Sequence, residues 1–251
     1  MLLSLVRQRH LPATDNPPWA KINRITVFAF GKDGAIKYRA MIKIINRLQL
    51  SDMGLMVKGT KQEVHLQQGA MDGACAVYSM MMCLIIARAI HRNEVVNLND
   101  EKIKGNTSKG RLIRNFLYNN GFVRNGYELN DLNDELLHSF QKIIHTDYYS
   151  IGQDGDDFMP NILKALDNNN PVELTFQRKG KSGHAVVAIG YEKNANGVLL
   201  YILDPGYSMP SGQYWNNVIQ IDSNGTRKYN ALNFVEKEKI QVDEALVIKK
   251  K

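Results

Sequence analysis

Apolar and polar positions along this chain change their period about halfway through. From Gly73 to about Ile90 the chain is apolar on nearly every face, which predicts a helix in the centre of a domain. Residues 108–119 and 131–144 repeat their apolar positions at helical spacing, the second with an acidic first turn suited to the helix dipole. "DDFMPNILKALDNNN" predicts a further helix capped by Asp156 or Asp157. Beyond it the period shortens. "PVELTF", "HAVVAIGYE", "GVLLYILD", "VIQID" and "EALVIKK" are strand-like runs separated by Gly, Asn, Ser and Lys. Near the start, two strand-like runs flank Asp33-Gly34 and predict a hairpin, and 51–66 reads as loop and short strand. Helices followed by antiparallel strands make an α+β chain.

Charge divides the chain at a different point. Residues 1–65 hold eleven Lys/Arg against four Asp/Glu, while residues 66–251 hold 21 of each. The whole formal charge of +7 therefore lies in the first segment. Residues 1–65 are expected to be a basic extension or subdomain, and 66–251 the main domain. An anionic partner for 1–65 is one expectation. The charges are scattered, which favours an ordinary solvated surface over a nucleic-acid-binding arm. The most apolar stretch, Ala74–Ala87, is too short to cross a bilayer, and "MLLSLVRQRH" does not read as a signal peptide.

Cys75 and Cys83 are the two cysteines, eight positions apart in one expected helix. They could not easily bridge, and a reducing compartment fits them best. Cys83 falls two turns into the apolar run and reads as core. Cys75 falls at the helix start, with Asp72 as the candidate N-cap. There the free amides and the positive dipole end favour a thiolate, the nucleophilic form.

A thiol nucleophile needs a base. His10, His65, His91, His138 and His145 read as surface or boundary residues. His184 opens a strand after the loop "KGKSG". Asp204 ends the next strand-like run in "YILDPGYS". A hairpin through "EKNANG" returns Asp204 to the level of His184, where a carboxylate can orient the imidazole. An acyl-transfer oxyanion needs donors: the Cys75 N–H is one and the Gln68 amide a second, with Gln67 as the fallback.

Other motifs carry less. "GQDGDDF" lacks the spacing of a calcium loop, no Cys/His cluster has zinc spacing, and there is no phosphate-binding glycine motif. No cofactor is expected. Tyr214 and Trp215 read as core before cleft lining.

Together, "QGAMDGACAVYS", "GHAVVAIGY" and "YILDP" resemble the papain-like cysteine peptidases. Within that fold, the order "ILKALDNNNPVELTF…GHAVVAIGY…YILDPGY" is most similar to the bacterial bacteriocin-leader (double-glycine) peptidase type, which uses Cys-His-Asp. The resemblance covers roughly residues 66–215. It implies a papain-like fold, with a central nucleophile helix packed on an antiparallel sheet. It also implies Cys75 as nucleophile, His184 as base, Asp204 as orienting acid and Gln68 as oxyanion donor. Six residues separate Gln68 from Cys75, Ala76 stands where an aromatic residue often follows the cysteine, and the loop cysteine of that family is absent. Cys75 and His184 are 109 positions apart, shorter than the roughly 130–150 of papain-type enzymes.

The expected activity is peptide-bond hydrolysis through a Cys75 thioester, in a bacterial cytoplasm or in a host cell reached by a delivered effector. Deamidase, transglutaminase-like or acyltransferase chemistry on the same triad stays open. So does a non-catalytic binding module with the same fold.

Overall fold

The computed structural model describes residues 23–30, 36–69, 73–96, 106–115, 126–194, 196–222 and 231–251. The elements follow the change of period. Strands β1 (Asn23–Phe30) and β2 (Ile36–Ile44) precede a small hairpin, β3 (Leu48–Ser51) and β4 (Gly54–Val57). Helices α1 (Cys75–Ile86), α2 (Arg92–Val96), α3 (Ser108–Asn115) and α4 (Leu129–Phe140) come next, then strand β5 (Ile144–Ser150) and helices α5 (Ile151–Asp154) and α6 (Phe158–Asp167). Strands β6 (Val172–Arg178), β7 (His184–Asn194), β8 (Gly197–Leu203), β9 (Asn217–Asp222), β10 (Ala231–Asn233) and β11 (Glu238–Lys250) complete the chain.

Among the described residues every strand pairing is antiparallel, as the α+β pattern predicts. The sheet does not stay open, however. Strands β6, β7, β8, β9, β10 and β11 pair in sequence and return to β6, closing a barrel, with β1, β2 and β5 attached outside the ring. Strand β11 makes closure feasible. It serves β10 with its first residues, β6 with its middle and β5 with its end, and an irregularity between Val242 and Glu244 lets it bend between those partners. The helix expected over 131–144 ends at Phe140, and β5 begins at Ile144, the last residue of that expected span. The backbone groups of β5 are satisfied by β11, about a hundred residues away, and that pairing overrides local helical spacing.

The predicted hairpin around Asp33-Gly34 is present as paired β1 and β2, its turn lying outside the described residues. Residues 51–66 supply β4 and the end of β3. Ile42, Ile44, Leu48, Leu55, Val57 and Val64 are buried in the same core as α1. Among the described residues no helix is long and apolar enough to cross a membrane.

Helix α1 is the central element. Ten of its twelve residues are buried, and it packs on β6, β7 and α4. Its N-cap position is taken by Ala74, with no side-chain cap. This replaces the expected Asp72 cap, and Asp72 itself lies outside the described residues. The expected cap of α6 is at Asp157, but its side chain makes no capping bond, because a 3-10 turn over Gly155–Asp157 leads into the helix.

β2 meets the barrel at one crossing. Lys43 and Ile44 pair with Tyr191 and Gly190, and the Ile45 N–H donates to the Ile189 carbonyl at 2.9 Å. The approach requires glycine. A Cβ on Gly190 would lie 2.2 Å from the Lys43 carbonyl oxygen and 2.6 Å from Ile44 Cδ1. Backbone cannot yield as a flexible side chain does. Gly190→Ala should therefore cost at least about 1–3 kcal/mol, the usual range for overpacking. Denaturant unfolding measures it, and an unchanged midpoint would refute this account of the crossing.

Candidate active site

The site lies where the start of α1 meets the open end of the barrel. Cys75 is the first residue of α1 and half-buried. With no oxygen cap in place, the first amides of the helix remain available to the sulfur. Backbone hydrogen bonds from Ala76 and Ala185 reach it. One turn below, the Ser79 hydroxyl donates to the Ala185 carbonyl at 3.1 Å. Ser79 follows Cys75 by four positions and so shares its helix face. That bond fixes α1 to the residue directly after His184.

His184 opens β7 and is mostly enclosed, its side chain 14 % exposed. Its ring lies edge-on to Phe176, with centroids 5.4 Å apart. Nε2 is 2.7 Å from Asp204 Oδ1, which leaves Nδ1 for the Cys75 thiol, its other hydrogen-bond partner.

Asp204 follows β8 and is fully buried. Oδ1 also receives the Gly206 N–H at 2.9 Å, and Oδ2 receives Asn217 Nδ2 at 2.9 Å. The backbone is held as firmly. The Asp204 N–H donates to Asn216 Oδ1 at 2.7 Å, and Asn216 Nδ2 donates to the carbonyls of Asp204 and Tyr207 at 2.8 and 2.9 Å. His65 Nε2 is 3.1 Å from the Asp204 carbonyl, a bond in which the imidazole is the donor. Burial holds the His65 pKa below the usual imidazole value, which suits a neutral ring.

These contacts set the charges. Burial pushes the Cys75 thiol up, but its hydrogen bond and charge interaction with His184 bring it below the ordinary value. Burial opposes a charged His184, yet Asp204 and Cys75 raise its pKa to about 9. Burial also opposes the Asp204 carboxylate, and His184, Asn217 and Gly206 together hold its pKa below the usual range. All three shifts favour the charged forms, thiolate, imidazolium and carboxylate, in one row.

A cleft of about 600 Å³ opens on this row, lined by Gln68, Cys75, His184, Thr175, Glu128 and Glu244 among others. The Gln68 N–H donates to the Pro205 carbonyl at 2.8 Å, tying that segment to the turn after Asp204. Gln68 is half-buried and Gln67 exposed. Cys83 is fully buried, and burial, with Glu173 nearby, pushes its thiol well up. Tyr214 is core, while Trp215 packs on Tyr201 with ring centroids 4.3 Å apart. Among the described residues no cluster could hold a metal ion.

The structure therefore brings Cys75, His184, Asp204 and Gln68 together. Sequence reasoning passed over Asn216, Asn217 and Glu173, and took for a surface or boundary residue His65, which is buried against the Asp204 carbonyl. The signals were an Asn-Asn pair at a strand start and one acid inside the buried run "PVELTF". A thiol, imidazole and carboxylate in a hydrogen-bonded row is the equipment of cysteine-dependent amide chemistry. A family model described as the Peptidase_C39 like family matches residues 55–236, and the chain belongs to that family of cysteine peptidases. Such a family acts on protein or peptide substrates. No curated protein matches the chain.

Glu173 lies under α1, fully buried, and neither carboxyl oxygen has a partner among the described residues. Burial, and then the charge of Cys75, push its pKa well above the ordinary value. A raised folded-state pKa gives stability that is fullest below the unfolded value, near pH 4.3, and is lost as pH rises toward the folded value. Glu173 should thus lower stability by up to about 1.4 kcal/mol per pH unit across that window. Glu173→Gln should remove this slope and be the more stable protein at pH 8. Unfolding at pH 5, 6.5 and 8 tests it, and parallel curves for the two proteins would exclude a neutral buried acid.

Proposed function

We propose that this chain is a thiol peptidase in which Cys75 is the nucleophile, His184 the acid and base, and Asp204 the orienting carboxylate. The observation that carries the reading is the unbroken row from the Cys75 thiol through His184 to the buried Asp204, opening on a cleft.

The Cys75 thiolate attacks the carbonyl carbon of a bound peptide bond. Negative charge moves to the carbonyl oxygen, where the Cys75 N–H and the Gln68 side-chain amide are the donors. His184 gives its proton to the leaving nitrogen as the C–N bond breaks, leaving a Cys75 thioester. Water then attacks the thioester while neutral His184 accepts its proton, and the acid product and thiolate separate. Asp204 stays ionised throughout and steadies the imidazolium.

Within the family, the finer proposal is an enzyme of the bacteriocin-leader type. The family match and the Asp-Pro turn directly after β8 support it. Product mass from a trapped substrate identifies the acyl acceptor.

Two measurements test the reading. Iodoacetamide should alkylate Cys75 rapidly below pH 7 and Cys83 only on unfolding, and His184→Ala should slow the Cys75 reaction at least about tenfold at pH 6.5, one pKa unit. Peptide turnover should fall on the alkaline side near pH 9, as His184 loses the proton that the leaving amine needs. A Cys75 that stays inert in the folded protein ends the proposal.

A further inference from the structure

Asp204 matters to the proposed reaction through the direction of one oxygen. The Asp204 carboxylate turns about its Cβ–Cγ bond, and its two oxygens are equivalent, so the bond to His184 alone leaves the carboxylate plane free to swing about that contact. The group that holds the other oxygen fixes the plane.

That group is Asn217. Its Nδ2 donates to Asp204 Oδ2 at 2.9 Å. The orientation of the Asn217 amide is fixed in turn, because its Oδ1 accepts the Val218 N–H at 2.7 Å, so the NH2 end must face Asp204. The residue is 2 % exposed and opens β9, opposite Ile202 of β8. It is thus held by the barrel itself. Gly206 completes the setting from the other side. A Cβ there would lie 3.2 Å from Asp204 Oδ1 and 3.7 Å from the His184 ring, so that space is kept clear.

We propose that Asn217 is a positioning residue of the triad: by holding Asp204 Oδ2, it fixes the carboxylate rotation that aims Oδ1 at His184. The inference rests on the triad reading above. The side-chain hydrogen bonds of Asn217 go to Asp204 and Val218, so it acts through Asp204. Asn216, its neighbour, secures the backbone of the same aspartate, and the two asparagines divide the task between main chain and side chain.

The consequence is electrostatic. Without the Asn217 donor, Asp204 keeps its burial but loses one of the three N–H groups on its carboxylate. The carboxylate turns or gains a proton, and the imidazolium loses support. The Cys75 thiol then ionises less readily. A residue of merely structural importance would lower the melting temperature and leave the pH profile of Cys75 where it was.

The test is the rate of Cys75 alkylation by iodoacetamide from pH 4.5 to 9.5, on wild type, Asn217→Leu and Asn217→Ala, with the melting temperature of each. Leucine keeps the volume and removes the donor. Alanine removes the same donor with no added bulk, should leucine not be accommodated. In both variants the apparent pKa of the reaction should rise by about one unit, a roughly tenfold slower reaction at pH 6.5. A proton NMR spectrum adds an independent signature. The downfield His184 Nε2–H resonance expected of a bond to a carboxylate should broaden or move upfield in the variants. Profiles and resonance identical to wild type in a folded variant overturn the role of Asn217 and leave the triad reading intact. A wild-type Cys75 with an ordinary thiol profile, unaffected by His184→Ala, overturns both.

Discussion

The site depends on a one-residue irregularity in the pairing of β7 with β8. From Asn194 opposite Gly197 to Gly190 opposite Tyr201 the register is regular. It then slips by one, so that Ala188 faces Ile202 and Val187 faces Leu203. Side chains alternate along a strand, so a slip of one exchanges the two faces. Continued past the slip, the register puts Asp204 opposite Val186, on the face that His184 shares. Without it, Asp204 would stand opposite Val187 and point away from His184. The extra residue is Ile189, whose carbonyl takes the Ile45 N–H, and the neighbouring Gly190 has no Cβ to keep β2 at a distance. The end of β2 thereby braces the bulge on which the His184–Asp204 bond relies.

Two buried carboxyl groups near Cys75 show how the fold assigns charge. Asp204 receives N–H groups from His184, Gly206 and Asn217 and remains ionised. Glu173 receives none among the described residues, and burial favours its protonated form. The outcomes follow from donors rather than depth, since both are fully buried. They are also complementary. An ionised Asp204 stabilises the imidazolium that stabilises the thiolate. An ionised Glu173 would repel that thiolate, and its interaction with Cys75 raises its own pKa accordingly.

Local pattern made much of this legible. The all-round apolar run gave α1, and alternation with turn residues gave β6 to β9 and the end of β11. A hairpin between His184 and Asp204 was enough to bring the two residues to the same level of the sheet, but the face they share is set by the slip at Ile189. What the pattern did not carry was set by distant partners. β5 is a strand because β11 lies beside it, and the barrel closes because β11 is long and bends. The slip at Ile189 depends on β2, more than 140 positions earlier in the chain. Asp72 looked like a cap on residue preference alone, but α1 begins after Ala74. Nothing local marks Asn217, whose part shows only once Asp204 is known to be buried against it.

The hydrogen-bonded row is divided between two layers, with Cys75 on α1 and His184 and Asp204 on the barrel. Both layers act on the thiol's pKa. The helix supplies the Ala76 N–H and its positive end, but the larger contribution comes from His184. Docking must therefore be accurate, since an imidazole misplaced by about 1 Å loses much of its effect. The buried face of α1 gives adhesion with little directional preference, because apolar contact is not directional. Direction comes from Ser79, whose bond to the Ala185 carbonyl sets the helix against β7 one turn below the sulfur. A hydrophobic helix thus provides the attraction and a single hydroxyl the alignment, and thiol reactivity becomes a property of the packed interface rather than of the helix end alone.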